Sequence, residues 1–368
     1  MSHPFKRLWF VAVSSLAARF VAGLPFPSST FASSFLAASF FAVPGLGALL
    51  VAAMLVAAPV STAWAAPADY PSRPIRLIVN SSPAGPLDIG ARAIAMHASK
   101  LMGQTIIVEN RPGASGNVGA KAVANAAPDG YTLLMTLDTL MTVNPHVFKD
   151  AGATYLRLLE PLSIAGSFGL ALTVRPDLGV ATVDEFLRYA KANAVTYSSA
   201  GYGSPGNLAF EKLKLATGIN TTHIPFRGSA GAVNALLGNQ IQAGFLAASA
   251  VQAHVQAGKM RALAISAREP DPDLPGVPAL RSVGVESLKD FDAAFAFLIM
   301  APQGMPPDIA RKWDESLAAV YAMPEFSRSI ASLGLGAPFA GSAGARQWVS
   351  AQIENWAQVV EGAGIRGE

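Results

Sequence analysis

The sequence predicts an α/β protein built from two doubly wound domains. Three observations lead there. Short β-like runs alternate with helical stretches from Asp69 onward, the alternation starts afresh near Leu170, and Gly- and Ser-rich turns join strand ends to helix starts. The 368 residues allow two or three domains. There is no cysteine, which excludes disulfides, thiol catalysis and Cys-ligated metal and leaves core burial to hold the chain.

The first 65 residues read as a secretory leader. Lys6, Arg7 and Arg19 are its only charged residues, and "GLGALLVAAMLVAAPVSTAWA" runs into an A-x-A pattern at Ala63-Trp64-Ala65. The apolar run from Gly45 to Ala58 is shorter than the roughly 20 residues a membrane span needs, and Pro25, Pro27, Pro44 and Pro59 break anything longer. Cleavage near Ala65 and a periplasmic destination are therefore expected. The whole chain carries a formal net charge of +3, but without the leader its acids and bases balance at 24 each. No basic stripe then remains for nucleic acid.

Each later element has its own signal. "IRLIV" (Ile75–Val79) is a strand, followed by a helix from about Leu87 to Leu101. "TIIVEN" (Thr105–Asn110) is a strand, followed by a Gly-rich turn and a helix from Asn117 to Asn125. Pro128-Asp129-Gly130 turns the chain into the strand "YTLLMT". This order implies a mostly parallel sheet with helices on both faces. In the second set "LALTV" (Leu170–Val174) is a strand, and Thr182 with Glu185 forms a capping box that opens a helix. "VTYSS" leads to a helix that stops at Gly218; "THIPF", "AGFLA" and "RALAIS" supply further strands. Pro270–Pro278 is a surface loop, and "FAFLIMAP" is a buried strand returning to the first domain. Ile309, Trp313, Leu317 and Val320, then Val349, Ile353, Trp356 and Val360, recur at helical spacing and predict two closing helices with tryptophan in the core.

Two strand-to-helix loops have the chemistry of anion sites. In "SAGYGSPGNL" Gly201, Gly203 and Gly206 fit G-x-G-x-x-G, but the acid that a dinucleotide site needs about 20 residues on is missing. Glu211 falls inside the helix and the next acid is Glu269. What survives is a Gly/Ser loop entering a helix, which presents free N–H groups at the positive end of the helix dipole. Ser204 and Asn207 add side-chain donors there or cap the helix. "NSSPAGPLDIGAR" (Asn80–Arg92) repeats the pattern, with Ser81, Ser82, Ala84 and Gly85 at the turn and Pro86 in the first helical turn. Asp88 caps amides or touches the ligand. Two such loops facing each other make an anion cleft. The turn "RPGASGNVG" (Arg111–Gly119) is expected at an edge strand, away from that cleft, with a structural role.

These stretches, with "YPSRPIRLIV", "VENRPGASGNVGA", "AAPDGYTLL", "NPHVF", "IPFRGSAGAVNALLGNQI", "AGKMRALAIS" and "APQGMP", form an ordered set from Tyr70 to Gly364. The chain thereby resembles the substrate-binding proteins of tripartite tricarboxylate transporters, the Bug family. The resemblance implies a type II periplasmic-binding-protein fold: two doubly wound α/β domains with a hinge and an interdomain ligand cleft. The expected division is residues 66–168 with 291–368 against residues 169–290, after a leader of residues 1–65. It further implies a small organic carboxylate as ligand, membrane transporter subunits as partners, a monomeric protein and no cofactor. The ligand-facing set is then Asn80, Ser81, Ser82, Ala84, Gly85, Asp88, Thr136, Asp138, Thr139, Ser199, Gly203, Ser204, Asn207 and Leu246.

The chain departs from the family at several of these positions. A Phe usual in the first loop is absent, a common His is Asn207, a common Asp after "AGF" is Leu246, and a common Trp is Ala296 with Leu298 where a Gly is usual. Asp138 stands where small polar residues are usual. Loss of the Asp argues against a ligand amino group at Leu246, and the small Ala296 is expected to leave room for a bulkier, more apolar acid. The sequence is also compatible in outline with a ligand sensor of the same fold feeding a regulatory partner, or with an exported hydrolase. The hydrolase lacks support, since Ser204 fails the G-x-S-x-G elbow and His97, His146, His223 and His254 share no triad or metal spacing.

Overall fold

The computed structural model describes residues 70–148, 151–336 and 340–365; the leader lies outside them. The two sets become two five-stranded sheets. The first contains β1 (Ile75–Val79), β2 (Ile106–Asn110), β3 (Thr132–Leu137), β4 (Leu159–Phe168) and β10 (Phe295–Pro302), in the order β2-β1-β3-β10-β4. The second contains β5 (Leu170–Val174), β6 (Val195–Ser199), β7 (Thr221–Pro225), β8 (Ala243–Ala247) and β9 (Arg261–Ile265), in the order β7-β6-β8-β5-β9.

The sheets repeat one plan. Each has a parallel trio around β1 or β6, then an interior antiparallel strand, β10 or β5, that carries a further antiparallel edge strand. The expectation of mostly parallel sheets is therefore corrected to mixed sheets. The cause is the crossing of the chain between lobes: β5 and β10 each enter a sheet from the opposite lobe and run against the trio. Every residue of β5 and β10 is buried, as a strand covered on both faces requires. β4 was not foreseen, because Pro161, Ser163 and Gly166 interrupt its apolar pattern.

The helices are α1 (Pro86–Met102), α2 (Asn117–Ala124), α3 (Thr139–Thr142), α4 (Asn144–Val147), α5 (Ala151–Leu158), α6 (Val183–Ala192), α7 (Pro205–Thr217), α8 (Ser229–Leu237), α9 (Ala248–Gln256), α10 (Pro307–Tyr321), α11 (Pro324–Ala331) and α12 (Ser342–Ala363). α1 buries Leu87, Ala91, Ile94, Ala95 and Ala98 at helical spacing and ends on Gly103 in the left-handed conformation. α6 begins with the expected capping box, Thr182 and Glu185 each serving the other's backbone.

The chain crosses between lobes at Gly169, which joins β4 to β5, and at residues 291–294, which lead into β10. Ser266 ties the two crossings together. Its buried hydroxyl accepts Leu170 N–H at 2.9 Å and donates to Ala293 O at 2.7 Å. α12 belongs to both cores: Ala345 and Val349 pack with Ile78 and Leu298, whereas Trp356, Val359 and Val360 pack with Leu208, Phe210 and Phe295. Lys212 of α7 fixes that end by donating to Asp292 O at 2.7 Å and to Asn355 Oδ1 of α12. Burial lowers the Lys212 ammonium to about 8.

Candidate functional site

Equivalent loops follow β1 and β6, and they share a detailed geometry. In each, Pro is the first residue of the helix (Pro86, Pro205) and a polar residue is the third (Asp88, Asn207). That polar side chain reaches back four residues: Ala84 N–H donates to Asp88 Oδ2 and Gly203 N–H donates to Asn207 Oδ1, both at 2.9 Å. The residue so held is left-handed in both loops, with φ of 65° at Ala84 and 68° at Gly203. The first-turn N–H groups of α1 and α7 have no intrahelical acceptor and remain for a guest.

The braces behind the loops differ. Asp88 is held by an ion pair with Arg92 and by Asn110 Nδ2 at 2.9 Å, and Asn110 also donates to Ser81 O at 3.2 Å. Burial raises the Asp88 carboxyl, but the bonds from Arg92, Ala84 and Asn110 outweigh it and hold the group below the ordinary range. The second brace is uncharged at its centre. Asn207 Nδ2 donates to Tyr197 OH at 2.8 Å, Tyr197 OH contacts Glu211 Oε1 at 2.6 Å, and His223 Nε2 lies 2.7 Å from Ser199 Oγ. Burial is the main cause that takes the His223 imidazole down to about 4, so it is neutral at pH 7.

A chamber of about 510 Å³ lies where these loops meet. Four helix N-termini border it: Gly85 to Leu87 of α1, Pro205 and Gly206 of α7, Gly228 and Ser229 of α8, and Ala247 to Ala250 of α9. Phe168, Phe245, Phe297, Leu246, Leu333 and Leu335 form its apolar walls. Among the described residues no acidic or basic side chain lines it. The contributions of α8 and α9 were not foreseen. Their signal is the same strand, small residues, helix pattern, in Gly228-Ser229 after β7 and Ala247-Ala248-Ser249 after β8.

A second chamber of about 900 Å³ adjoins it, sharing Ser81, Leu87, Leu137, Ala200 and Pro205. It is the more polar of the two: Asn80, Ser115, Thr136, Thr139, Asn144 and Tyr202 face it, with Arg227 at the exposed rim. The Gly-rich turn after β2 lines this chamber through Ala114, Ser115 and Gly116, which corrects its expected place away from the cleft. The strand is at the edge as expected, but the turn folds back onto Asn80, whose Nδ2 donates to Gly116 O at 3.3 Å and to Thr136 Oγ1 at 2.8 Å. A Cβ at Gly116 would sit 2.4 Å from Asn80 Nδ2, and one at Gly119 2.7 Å from Asn80 Cβ, so this approach needs both glycines.

The expected ligand-facing residues divide accordingly. Ser81, Ser82, Gly85 and Leu246 line the smaller chamber; Asn80, Ser81, Thr136, Thr139, Gly203 and Ser204 line the larger. Ala84, Asp88, Ser199, Asn207 and Asp138 line neither. Contrary to the expectation that they face the guest, these five stand behind the chamber walls: Ala84, Asp88, Ser199 and Asn207 spend their polar atoms on internal partners, and Asp138 is enclosed in the core. The Gly203 N–H is likewise held by Asn207, so Gly203 borders the cleft without offering that proton. Asp138 is fully buried and accepts Trp348 Nε1–H at 2.8 Å, while its other carboxylate oxygen has no partner among the described residues; burial pushes the carboxyl up to about 7. Ala296 packs in the core with Ile78 and Leu134 and accepts Asp138 N–H at 2.8 Å, so its small size does not enlarge either chamber. Among the described residues no group of three or more His, Asp or Glu is placed to hold a metal.

Comparison with known proteins places this geometry. A family model described as the tripartite tricarboxylate transporter family receptor matches residues 90–365. The chain is 32% identical over 304 residues to BugT of Bordetella pertussis, covering 81% of this chain and 91% of that protein. It is 31% identical over 299 residues to an uncharacterised protein of Cupriavidus necator, covering 80% and 89%. The structure of the periplasmic binding protein BugD matches with a TM-score of 0.68 at 30% identity, covering 81% of this chain and 100% of that one. A protein of R. palustris solved with adipate matches with a TM-score of 0.71 at 27% identity, covering 81% and 99%. A further protein, from Rhodopseudomonas palustris and solved with bound malate, matches at 0.65 and 25%, covering 79% and 100%.

Proposed function

Because the chain belongs to the tripartite tricarboxylate transporter receptor family, we propose that it captures an organic carboxylate outside the cytoplasm and delivers it to transporter subunits in the membrane. One observation carries the ligand class: four helix N-termini converge on a chamber that no charged side chain lines among the described residues. Helix N-termini favour anions through their free N–H groups and dipoles. A cation would find no acidic partner among the described lining residues, and the many hydroxyls of a sugar would find only Ser81, Ser82, Ser229 and Ser249 as side-chain partners. The ligands of the neighbouring structures, adipate and malate, are both carboxylates and support this reading.

The walls refine the class. Phe168, Phe245, Phe297 and Leu246 suit an apolar body, and no carboxylate is present to hold an ammonium group. The ligand is therefore an acid with a hydrocarbon or aromatic body rather than an amino acid. Two or three hydrogen bonds to an ionised oxygen give about 1.5–3 kcal/mol each. Burial of the body adds about 25 cal/mol per Å². Together these reach micromolar affinity, about −8 kcal/mol, after ordering costs.

Binding works by closure of residues 66–168 with 291–368 onto residues 169–290 about the crossings at Gly169 and residues 291–294. Only the closed arrangement lets α1 share a guest with α7, α8 and α9, so the ligand favours it. The protein acts as a monomer after export and cleavage near Ala65, and it binds without catalysing. The test is a thermal-shift screen of residues 66–368 against adipate, malate, hexanoate, benzoate, aspartate, glucose and a nucleotide. A carboxylate at about 100 times its dissociation constant adds roughly 2.7 kcal/mol of stability. A response to glucose, the nucleotide or aspartate alone would overturn the reading.

A further inference from the structure

The second brace contains a serine, a histidine and an asparagine in contact, an arrangement found in nucleophilic sites. Its direction is fixed by its neighbours and runs the opposite way. Glu211 Oε1 accepts from Tyr197 OH, so Tyr197 has no proton left and must accept from Asn207 Nδ2. Gly203 N–H donates to Asn207 Oδ1, which sets the amide in the same orientation independently. The amide nitrogen of Asn207 therefore faces His223 Nδ1, at 3.5 Å, and Nδ1 is the bare, accepting nitrogen. The imidazole proton is on Nε2 and points at Ser199 Oγ. Ser199 in turn sends its proton to Gly201 O at 2.9 Å and accepts Gly201 N–H at 3.1 Å. Its hydroxyl is fully used, and the histidine donates to it instead of accepting its proton.

We infer that His223 is a positioning residue for ligand capture: without lining either chamber, it holds the Ala200–Ser204 loop so that the start of α7 faces the guest. The chain of bonds ends on the loop at both sides, at Gly201 through Ser199 and at Gly203 through Asn207. Ser204 Oγ adds a second bond to Gly201 O at 2.7 Å. The ring is also clamped by its faces. Tyr197 stacks on it with centroids 4.8 Å apart, and Tyr202 of the loop meets it edge-on at 4.9 Å. The titratable groups around it are Glu211 and Lys214 of α7, Tyr197 of β6 and Tyr202 of the loop, and Glu211 is ion-paired to Lys214 at 2.9 Å. Above about pH 5 the ring is thus neutral and the bond order given above is the one that holds.

The inference goes beyond the carboxylate reading, and its test has one arm that needs no ligand. Nitrogen-15 spectra of the leaderless protein are expected to show His223 as the neutral tautomer protonated at Nε2. In His223→Phe, hydrogen exchange at Gly201 and Gly203 rises at least 10-fold while Ala84, held by the other brace, is unchanged. His223→Gln, which restores a donor toward Ser199, recovers most of the protection. If His223→Phe does not fold, the tautomer read in the wild-type protein still decides, since a proton on Nε2 is what the bond order requires. In the second arm adipate, malate, hexanoate and benzoate are titrated, and the tightest binder loses at least 10-fold in affinity in the variant, with recovery in His223→Gln. Unchanged exchange at Gly203, or a proton on Nδ1, overturns the role of His223. If the wild-type protein binds none of the four acids, the carboxylate reading fails and the exchange arm still decides the inference.

Discussion

The loops after β1 and β6 place the same backbone in two electrostatic settings. Both set a left-handed residue four positions before a polar side chain at the third position of a Pro-started helix. At α1 that side chain is the carboxylate of Asp88; at α7 it is the neutral amide of Asn207. A carboxylate in the first turn already compensates the helix dipole, whereas an amide leaves it uncompensated. The comparison teaches that the lobes are unequal anion holders. On the carboxylate reading proposed above, α7 is then expected to offer the stronger pull.

The largest expected effect comes from making the loops alike. Asn207→Asp places a negative charge at α7, where two charges about 5 Å apart at an effective dielectric of 20 repel by about 3 kcal/mol. Carboxylate affinity is expected to fall roughly 100-fold by calorimetric titration. Wild-type affinity in this variant would place the anion elsewhere.

The pH dependence of stability separates the lobes next. Folded Asp138 keeps its proton up to about pH 7, whereas the unfolded carboxyl loses it near pH 4. Its contribution is full below about pH 4 and is lost as pH rises toward 7. Folded His223 is neutral down to about pH 4, whereas the unfolded ring gains its proton near pH 6.5. Its contribution is full above about pH 6.5 and is lost as pH falls toward 4. The two slopes oppose each other. Urea unfolding from pH 4 to 7 should show stability rising with pH in Asp138→Asn and falling with pH in His223→Gln. Parallel slopes in the two variants would contradict the assignment.

Smaller effects sharpen the same contrast. Asp88→Asn removes the Arg92 ion pair and a charge favourable to α1 and should cost about 1–2 kcal/mol of stability. It should also tighten carboxylate binding severalfold, and weaker binding would mean that Asp88 acts on the guest only through loop shape. The left-handed positions involve no charge. A Cβ at Gly203 meets nothing within 4 Å, so Gly203→Ala should cost only the backbone preference, about 1–2 kcal/mol, and Ala84→Gly should return up to about 1 kcal/mol. Denaturant midpoints read both.

The alternation of strand and helix was legible, as were the Pro- and Gly-marked loop ends, because local pattern determines them. The antiparallel entry of β5 and β10 was not, since it depends on where the chain changes lobes. The loop pair was recognised, but its shared bracing at Ala84 with Asp88 and Gly203 with Asn207 was not, because "SSPAGPLD" and "AGYGSPGN" agree in few letters. Asp138, Ser199 and Asn207 were expected to touch the guest. A polar side chain beside a loop is read equally well as facing outward or as bracing the loop, and only the positions of Trp348, His223 and Tyr197 decide. Ala296 misled for the same reason: its neighbours are core residues that arrive from distant parts of the chain.

α12 has a consequence for how the molecule comes apart. Val349 is buried in one core and Trp356 in the other, on one unbroken helix. Neither lobe can melt without stripping half of that rod from its own interior and leaving the remainder unsupported. Calorimetry should therefore record a single endotherm, with the two lobes denaturing as one body.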